Sequence, residues 1–409
     1  MTDHVAAALA ALRTPAGSTD PYPHLAVLRE HSPVHPMPDG GVLLTRHADC
    51  LTVIRHPGFH AQNAAWMDTR RPGWREHPGL RATTESFLFL DPPAHTRLRR
   101  LVAGAFTQRR AAALRAFIAE LTDRVLDRIA AAGADGSPVD LHEFLAAGLP
   151  IGVIGKVLGV PEADQPALRE PLEGLRLAVD GGATEAQLPQ IDAAGEALTG
   201  YFGELAARRR AAPCEDLTST LVAAQAGGPD NPEPLTQDEV EQTLTLVFSA
   251  AIESMVDTLL GGLAALLAHP AQADLLRNDA TLVPGAVEEM LRYDTPVQGM
   301  ARVAAADTTI AGVPVRAGGA AVLMLGAANR DPAAFTDPDV FDITRTGGAT
   351  VLSFGGGVHH CLGAPLARMQ AAVFFPALLH RFPKLAMAGP AVRRGTVLRG
   401  FAEFPVTVR

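Results

Sequence analysis

The chain has 409 residues, 47% of them hydrophobic and 19% charged, which is the composition of a globular protein with a large core. Its formal net charge of -9 disfavours general binding to nucleic acid or to an anionic membrane, because like charges repel. Cys50, Cys214 and Cys361 lie far apart without a CxxC pair, which argues against a disulfide framework or a thiolate zinc site. Since the N-terminus also lacks the basic segment of a signal peptide, we expect a cytoplasmic protein.

The predicted elements are, in chain order, a hairpin, a long helical region and a second strand-rich region. The hairpin joins residues 34–37 to residues 42–45 through a Pro-Asp-Gly-Gly turn. Residues 95–267 are rich in Ala, Leu and Arg and indicate helices, with breaks at 133–138, 181–182 and 227–234. Strand patterns return at 309–310, 313–315 and 397–408. Because both ends supply strands, we expect one interwoven domain over residues 1–409, mainly α with a smaller β-rich part.

One helix is predicted with defined ends. Residues 236–239 (TQDE) form a capping box, and Leu235 with Val240 forms a hydrophobic staple. His269 and Pro270 end the helix. At 1.5 Å per residue it spans about 48 Å, which is enough to cross the protein.

This long helix is apolar on nearly its whole surface beyond residue 244, so we expect it to be buried. Glu253 and Asp257 within it indicate a core helix and not a membrane span. Glu253 and Ser254 interrupt the apolar surface near its middle, and a buried acid beside a hydroxyl needs a reason. A water-satisfied kink is one explanation, and a functional pair is the other.

The most informative segment surrounds Cys361. Residues 354–363 read FGGGVHHCLG, and a helix pattern follows with Pro365 in its first turn. Cys361 is therefore predicted at a helix N-terminus, where free N–H groups lower the thiol pKa and donate hydrogen bonds to the sulfur. A buried free cysteine, or a nucleophile with His359 or His360 as its base, would also account for the residue types.

The pattern Phe354-x-x-Gly357-x-x-x-Cys361-x-Gly363 resembles the haem-binding signature of the cytochrome P-450 superfamily. Its continuation through residues 364–368 resembles the soluble bacterial members. The resemblance covers the chain from about residue 21 to the C-terminus. It implies the cytochrome P-450 fold and a haem b held between the long helix and the cysteine loop, with Cys361 as the thiolate ligand of the iron.

The resemblance also implies an activity and its partners. A haem-thiolate monooxygenase activates O₂ with electrons from a ferredoxin-type partner and its reductase. The product would be a hydroxylated or epoxidised small organic molecule. The bacterial type of the sequence favours, by analogy, a tailoring step on a natural product.

Donors for the haem propionates are implied by further motifs. His95 and Arg99 lie four residues apart on a helix for which Asp91 is the predicted N-cap, and they match the family's HxxxR motif. Arg302 and His359 match two other propionate donors. Without the resemblance, His95 and Arg99 would indicate only a basic surface helix.

Glu289 and Arg292 match the family's ExxR motif, with Arg345 as the later partner. By spacing alone, an acid and a base at i and i+3 most often form a solvated ion pair of little energetic value. The resemblance instead implies a buried network that supports the haem core.

The resemblance places residues 250–254 (AAIES) over the distal haem face, where Glu253 and Ser254 would relay protons to bound oxygen. This chain departs from the family pattern at two positions. Ala251 replaces the usual glycine and adds a methyl group where oxygen binds, while Ser254 replaces the usual threonine and keeps the hydroxyl. These departures keep open a haem-thiolate enzyme that does not insert oxygen, such as a peroxide-driven, dehydrating or carbon–carbon coupling enzyme.

A non-enzymatic haem sensor or ligand-binding module is a further alternative, against which the buried Glu253–Ser254 pair argues. By resemblance, the substrate site is lined by residues 67–88, the region around Gly181, and residues 247–251, 297–300 and 401. These are mostly apolar, which favours an apolar or mixed ligand of moderate size. The individual candidates are Phe87, Leu88, Val247, Ala250, Ala251, Val297, Met300 and Phe401.

A basic stretch interrupts this acidic chain. By resemblance its helix borders the proximal haem face, where an acidic ferredoxin would dock through complementary charge. The stretch contains Arg97, Arg100, Arg109, Arg110 and Arg115.

Overall fold

The computed structural model describes residues 2–180, 183–227 and 233–408. The predicted break at 181–182 and most of the break at 227–234 lie outside the described residues. The α-helices are α1 Thr2–Ala11, α2 Pro15–Thr19, α3 Tyr22–His31, α4 His47–Arg55, α5 Ala64–Arg70, α6 Pro78–Thr84, α7 Ala94–Ala103, α8 Gln108–Ala113, α9 Arg115–Ala132, α10 Leu141–Ala146, α11 Leu149–Leu158, α12 Arg169–Val179, α13 Leu188–Ala211, α14 Leu217–Ala224, α15 Gln237–Ala268, α16 Pro270–Asn278, α17 Val283–Tyr293, α18 Leu325–Ala328 and α19 Ala364–Arg381.

The strands are short and group into four small sheets within the described residues. The largest has the order β1-β2-β8-β5-β3, in which β2 and β8 run parallel and the other pairs antiparallel. The remaining sheets are β10-β11, β4-β12-β9 and β6-β7. The strand bounds are β1 Val34–Pro36, β2 Val42–Leu44, β3 Phe59–His60, β4 Val139–Asp140, β5 Gly299–Ala304, β6 Thr308–Ile310, β7 Val313–Val315, β8 Ala320–Met324, β9 Ala386–Met387, β10 Val392–Arg394, β11 Gly400–Glu403 and β12 Pro405–Thr407.

The strand predictions are confirmed. The hairpin β1–β2 pairs Val34 with Leu44, as its turn residues indicate. The five-stranded sheet takes β1, β2 and β3 from the first 60 residues and β5 and β8 from residues 299–324, so strands from distant parts of the sequence meet in one subregion. The extended end of the chain forms β11 and β12.

The long helix α15 is confirmed with its predicted ends. The Thr236 hydroxyl accepts from the Glu239 N–H at 3.1 Å, and the Glu239 carboxylate accepts from the Thr236 N–H at 3.0 Å. His269 is the C-cap. The helix packs against α10, α11, α13, α17 and α19 and is the centre of the largest hydrophobic cluster.

Two stretches, Leu141–Leu158 and Gln237–Ala268, are long and apolar enough to cross a membrane by length and composition alone. Their most apolar windows are 61% and 67% buried inside the protein. Their apolar surface is therefore mostly occupied by packing against other helices, as predicted for α15.

The predicted cap of α7 is wrong. Pro93 occupies the N-cap position and makes no side-chain cap. The Asp91 carboxylate instead accepts hydrogen bonds from the Ala61 N–H at 2.8 Å and from the Asn63 side-chain amide at 2.7 Å. Asp91 thus fixes the segment after β3.

Glu289 on α17 is the centre of a buried ionic network. Arg292 donates to both of its carboxylate oxygens, at 2.6 and 2.8 Å, and Arg345 donates at 3.1 Å. The side chains of Glu289 and Arg292 are 2% and 1% exposed. A charge this deeply buried is tolerated only because all its hydrogen-bonding positions are filled.

The same arginines fix the chain that leads to the cysteine loop. Arg292 donates to the carbonyl oxygens of Asn329 and Pro338, at 3.0 and 2.7 Å, and Arg345 donates to that of Val340 at 2.9 Å. The Asn329 amide in turn donates to the Ser353 hydroxyl at 2.9 Å, directly before the loop. The network therefore connects α17 to residue 353 through buried hydrogen bonds.

We expect Glu289→Ala to unfold the protein or to prevent its accumulation. The substitution leaves Arg292 and Arg345 buried without their counter-ion, at a cost of about 3–5 kcal/mol. Glu288→Ala is the matched control, because Glu288 is the adjacent residue and pairs with Arg368 in a half-exposed bridge. Soluble yield and thermal unfolding of the two variants check this, and equal losses in both would contradict a special role for Glu289.

Candidate active site

The cysteine loop is closed by its own backbone and packs on α4. The Cys361 N–H donates to the Phe354 carbonyl oxygen at 2.9 Å. Gly357 has a φ of +61°, and a Cβ there would lie 2.6 Å from the Ile54 carbonyl oxygen. Glycine is therefore required at 357 by both conformation and space.

Cys361 lies at the start of α19, as predicted, with Gly363 as the N-cap and Pro365 in the first turn. The N–H groups of Gly363 and Ala364 act on the sulfur in the direction that lowers the pKa of the thiol. The predicted lowering of the thiol pKa is nevertheless wrong in its net direction. Although the side chain is exposed on one side, the surrounding protein desolvates the sulfur and raises its pKa, outweighing the two N–H groups and the nearby arginines.

The four predicted propionate donors include an unusual pair of histidines. His95 is 1% exposed, and neither of its ring nitrogens has a hydrogen-bond partner among the described residues. Its ring lies 4.2 Å from that of His359, centroid to centroid. A buried imidazole with two unsatisfied nitrogens is costly, so this position is suited to an additional polar ligand.

The two arginines of this set also lack an ion pair within the described part of the chain. Arg302 is buried and donates only to the adjacent Ala301 carbonyl oxygen, at 2.9 Å, and Arg99 donates to the His360 carbonyl oxygen. Burial lowers the pKa of Arg302 to about 10, and burial with the neighbouring positive charges lowers the pKa of His359 to about 3. Such a concentration of donors without a carboxylate fits a bound anion.

The middle of α15 exposes small side chains in an otherwise buried helix. Ala250 is exposed, and Ala251 and Ser254 are partly exposed, whereas Ile252 and Met255 beside them are buried. The Ser254 hydroxyl donates to the Ala250 carbonyl oxygen at 2.7 Å. Its proton is therefore engaged within the helix, and its lone pairs are available to accept a hydrogen bond.

The Glu253 carboxylate forms an ion pair, so its hydrogen bonds do not depend on water in a helix kink. Arg394 on β10 donates to its carboxylate, and Arg394 also donates to Glu173 on α12 at 2.6 Å. The acid is thus held beside β10 and α12, in a direction about 100° around the helix from Ser254. Sequence reasoning missed Arg394, since it lies 141 residues beyond Glu253 and no local pattern marks it.

The predicted substrate-lining residues include one that contacts the cysteine loop. Met300 lies next to the loop, with its sulfur 3.9 Å from the position that a Cβ on Gly355 would take. Val297 pairs with Leu398 in an isolated bridge. Phe87 is buried with its ring 6.4 Å from that of His95, Leu88 is 40% exposed, and Val247 is 8% exposed.

Phe401, the last of the predicted lining residues, is 2% exposed and packs against the core. Its ring stacks on Arg393 at 3.8 Å and contacts Phe404 at 5.0 Å. The residue that the strand brings toward Val297 is Leu398, three positions earlier. The candidate region around Gly181 lies outside the described residues.

The basic stretch is partly neutralised. Arg97 pairs with Glu239 and Glu233, and Arg110 pairs with Glu215 at 3.2 Å. The Arg115 guanidinium donates to the Met369 sulfur at 3.6 Å. The net positive charge of this surface is therefore smaller than the sequence alone indicates.

These residues together fit a haem held by a cysteine. The unpartnered His95 nitrogens and the unpaired arginines supply donors for propionates, and the glycine loop presents Cys361 where the helix N–H groups meet the sulfur. A mainly helical fold with this loop, a buried ExxR network and an apolar central helix defines the haem-thiolate class of proteins.

Comparisons with known proteins agree with this class. The family model described as cytochrome P-450 matches residues 203–388. The nocardicin C N-oxygenase of Nocardia uniformis subsp. tsuyamanensis is 40% identical, over 95% of this chain and 96% of its own. The vitamin D(3) 25-hydroxylase of Pseudonocardia autotrophica is 38% identical, over 95% and 94%. The solved structure of the tirandamycin C-bound cytochrome P-450 monooxygenase TamI superimposes with a TM-score of 0.83 at 34% identity, covering 97% of this chain and 99% of that one.

The chain belongs to the cytochrome P-450 family, of the soluble bacterial type. It is accordingly a monooxygenase with a cysteine-ligated haem, and it requires a redox partner, O₂ and a substrate.

Proposed function

We propose that this enzyme hydroxylates or epoxidises a small, largely apolar organic molecule, using electrons from a ferredoxin-type protein in the cytoplasm. The observation that carries the proposal is the cysteine loop with its surrounding donors, which form no ion pair among the described residues although they are largely buried. Bound haem supplies reductive activation of O₂, with the thiolate favouring O–O cleavage.

Cys361 is the proposed iron ligand, and Phe354, Gly357 and Gly363 shape the loop around it. The N–H groups of Gly363 and Ala364 stabilise negative charge on the sulfur. The propionates are assigned to the buried donor set. That set consists of His95, Arg99, Arg302 and His359.

Ser254 and Glu253 are assigned to proton delivery on the distal side. The Ser254 hydroxyl already donates to the Ala250 carbonyl oxygen. Its lone pairs can accept a hydrogen bond from a group that carries a proton. Glu253 is held by Arg394, so its proton reaches Ser254 only through an intervening group such as water. Ala251 narrows the space beside this pair by one methyl group.

The substrate class follows from the residues that remain near this face of α15. Val247, Ala250, Ala251, Val297 and Met300 carry no charge, and Glu253 is turned into its own ion pair. Such a lining binds by burial of apolar surface. Leu398, and at the edge Phe87 and Leu88, complete the proposed site. The names of two relatives support a natural-product tailoring step, because they describe enzymes that act on chemically diverse molecules.

The ferrous carbon-monoxide complex is expected to show the strongly red-shifted Soret band of a thiolate-ligated haem. Cys361→His should lose this band while Cys214→Ser keeps it, because Cys214 is exposed and lies on a different part of the fold. Absorbance spectra of the two variants check the assignment. A retained band in Cys361→Ala would show that another residue ligates the iron.

We expect Ser254→Ala to fold, load haem and bind substrate normally, but to release most of the consumed reducing equivalents as hydrogen peroxide. The reason is that the oxygen chemistry that haem would supply consumes protons, and the substitution removes the hydroxyl proposed to pass them on. Thr258→Val is the control, because Thr258 makes the same backbone hydrogen bond one turn further on, to the Ser254 carbonyl oxygen.

Product and peroxide per reductant consumed measure this coupling. Unchanged coupling in Ser254→Ala would exclude the relay role. If the unmodified enzyme makes product with hydrogen peroxide but not with reductase and O₂, it is a peroxide-driven enzyme, as the departures at residues 251 and 254 allow.

Reduction by an acidic ferredoxin should slow as salt rises, because the Debye length falls to about 8 Å at physiological ionic strength. Arg100→Glu should slow reduction further, whereas Arg169→Glu should not, since Arg169 lies on α12, which packs mainly against α13, α6 and α15. Stopped-flow reduction rates at several salt concentrations check this. Rates that ignore both salt and Arg100 would place the docking surface elsewhere.

A further inference from the structure

A second acid, Asp257, lies one turn beyond Glu253 on α15 and has no role in the proposed function. Its side chain is 3% exposed. The carboxylate lies flat against the backbone of β11, because a Cβ on Gly400 would come within 1.9–2.2 Å of its atoms. The Phe401 N–H donates to one of its oxygens at 3.2 Å. Asp257 is thus closely enclosed on the side away from solvent.

The ion pairs around Asp257 leave it without a cation. Arg394 is shared by Glu253 and Glu173, and Arg176 is shared by Glu173 and Asp180. Asp257 forms no ion pair within the described residues, and His142 of α10 contacts Arg394 at 3.3 Å. The charged or titratable groups that face Asp257 are Glu253 of its own helix, Arg394 of β10, Arg176 and Glu173 of α12, and His142 of α10.

The balance of positive and negative groups in this cluster determines whether Asp257 is ionised. Four carboxylates share two guanidinium groups in this cluster, and the pKa of His142 is lowered by its burial and by Arg394, so it adds no charge near neutral pH. A buried carboxylate without a counter-ion takes up a proton instead of remaining ionised. Burial accordingly raises the pKa of Asp257 to about 7, although Arg394 opposes the rise.

We propose that Asp257 is a proton store for the distal site, which holds a proton beside Glu253 and passes it to that carboxylate. This rests on the proposed role of Glu253. In the transfer, the O–H bond of Asp257 breaks and an O–H bond forms on Glu253, so that Asp257 becomes the carboxylate. The two side chains are neighbours at i and i+4, and Arg394 stabilises the charge left on Asp257. Solvent water then returns the proton to Asp257, which acts through Glu253 and touches no reacting atom.

Asp257→Asn is the test variant, because the amide has the shape of the neutral acid and needs no counter-ion. Packing on Gly400 is therefore retained. Asp238→Asn is the control, since Asp238 is an exposed acid in the first turn of the same helix. Both variants are studied as haem-loaded full-length protein.

The first readout is independent of turnover. Infrared difference spectra between about pH 6 and pH 8 should contain the C=O stretching band of a protonated carboxyl group, lost as pH rises through about 7. The band should be absent in Asp257→Asn and unchanged in Asp238→Asn. A band that persists in Asp257→Asn would overturn the proposal at its first step.

Stability gives a second readout whose sign follows from linkage. The pKa of Asp257 is higher in the folded protein, about 7, than its ordinary value of 3.8, so the folded state binds the extra proton between these pH values. The contribution of this group to stability therefore decreases as pH rises from about 4 to about 7. Asp257→Asn should unfold at a higher temperature than the unmodified protein at about pH 8, and the difference should shrink steadily as pH falls toward about 4.

The third readout is product formation under saturating reductant and O₂. In the unmodified enzyme the rate should fall as pH rises through about 7, and Asp257→Asn should be about 10-fold slower at pH 6 and lack this pH limb. A normal rate and pH profile in Asp257→Asn, with the infrared band lost, would show that the stored proton is not delivered. If the unmodified enzyme makes no product, the proposed function fails, while the infrared band still decides whether Asp257 holds the proton.

Discussion

The interaction on which the rest of the site depends is the burial of Glu289 between Arg292 and Arg345. The Glu289 carboxylate could not remain charged in the core without the two guanidinium groups, nor could they without it, since an unpaired buried ion costs several kcal/mol. The two arginines then use their remaining N–H groups on backbone carbonyls between residues 329 and 340, which ties an irregular segment to α17. Through Asn329 and Ser353 this order extends to the residue directly before the cysteine loop. The position of Cys361 therefore depends on an ion cluster that does not contact it.

The site contains two opposite charge imbalances. Around the cysteine loop, His95, Arg99, Arg302 and His359 have donors without an anion, and the pKa values of His359 and Arg302 are lowered accordingly. Beside the distal face of α15, carboxylates outnumber guanidinium groups, and the pKa of Asp257 is raised. The physical cause is the same in both places, because a buried charge without a counter-charge shifts toward its neutral form. In the proposed function the first imbalance is relieved by the haem propionates, and in the proposed proton store the second is relieved by a proton.

Local sequence signals predicted what short-range forces determine. The ends of α15 follow from Thr236 and Glu239, which bond to each other across one turn, and the hairpin follows from its turn residues. The glycine loop could be predicted because no other residue at position 357 fits both the positive φ and the close approach to Ile54. The cysteine motif could be predicted because its spacing is specific to one family.

What could not be predicted depends on contacts between distant residues. Asp91 caps no helix, since Ala61 and Asn63 bind its carboxylate. Leu398, three residues before Phe401, pairs with Val297 in a bridge between distant parts of the sequence that no local pattern records. The pKa of Cys361 is raised because the effect of burial outweighs that of the helix N–H groups. Burial depends on the whole fold and not on the local sequence. The pairing of Glu253 with Arg394 joins two elements 141 residues apart.

The departure at residue 251 acquires a structural meaning in this context. Residues 237–268 form one continuous helix, and the Ser254 and Thr258 hydroxyls both bond to the carbonyl oxygen four residues earlier. Side-chain hydroxyls that bond in this way remain close to the helix surface, so they extend little into the space beside it. Ala250 and Ala251 likewise present only methyl groups. Room on this face is therefore provided by small side chains along an intact helix and not by an interruption of its backbone.

Any group that bridges Glu253 to Ser254 must then pass around the helix surface, on the side where β10 and α12 meet α15. That is the side on which Arg394 holds Glu253, so in the proposed relay the element that fixes the acid also borders the route of the proton.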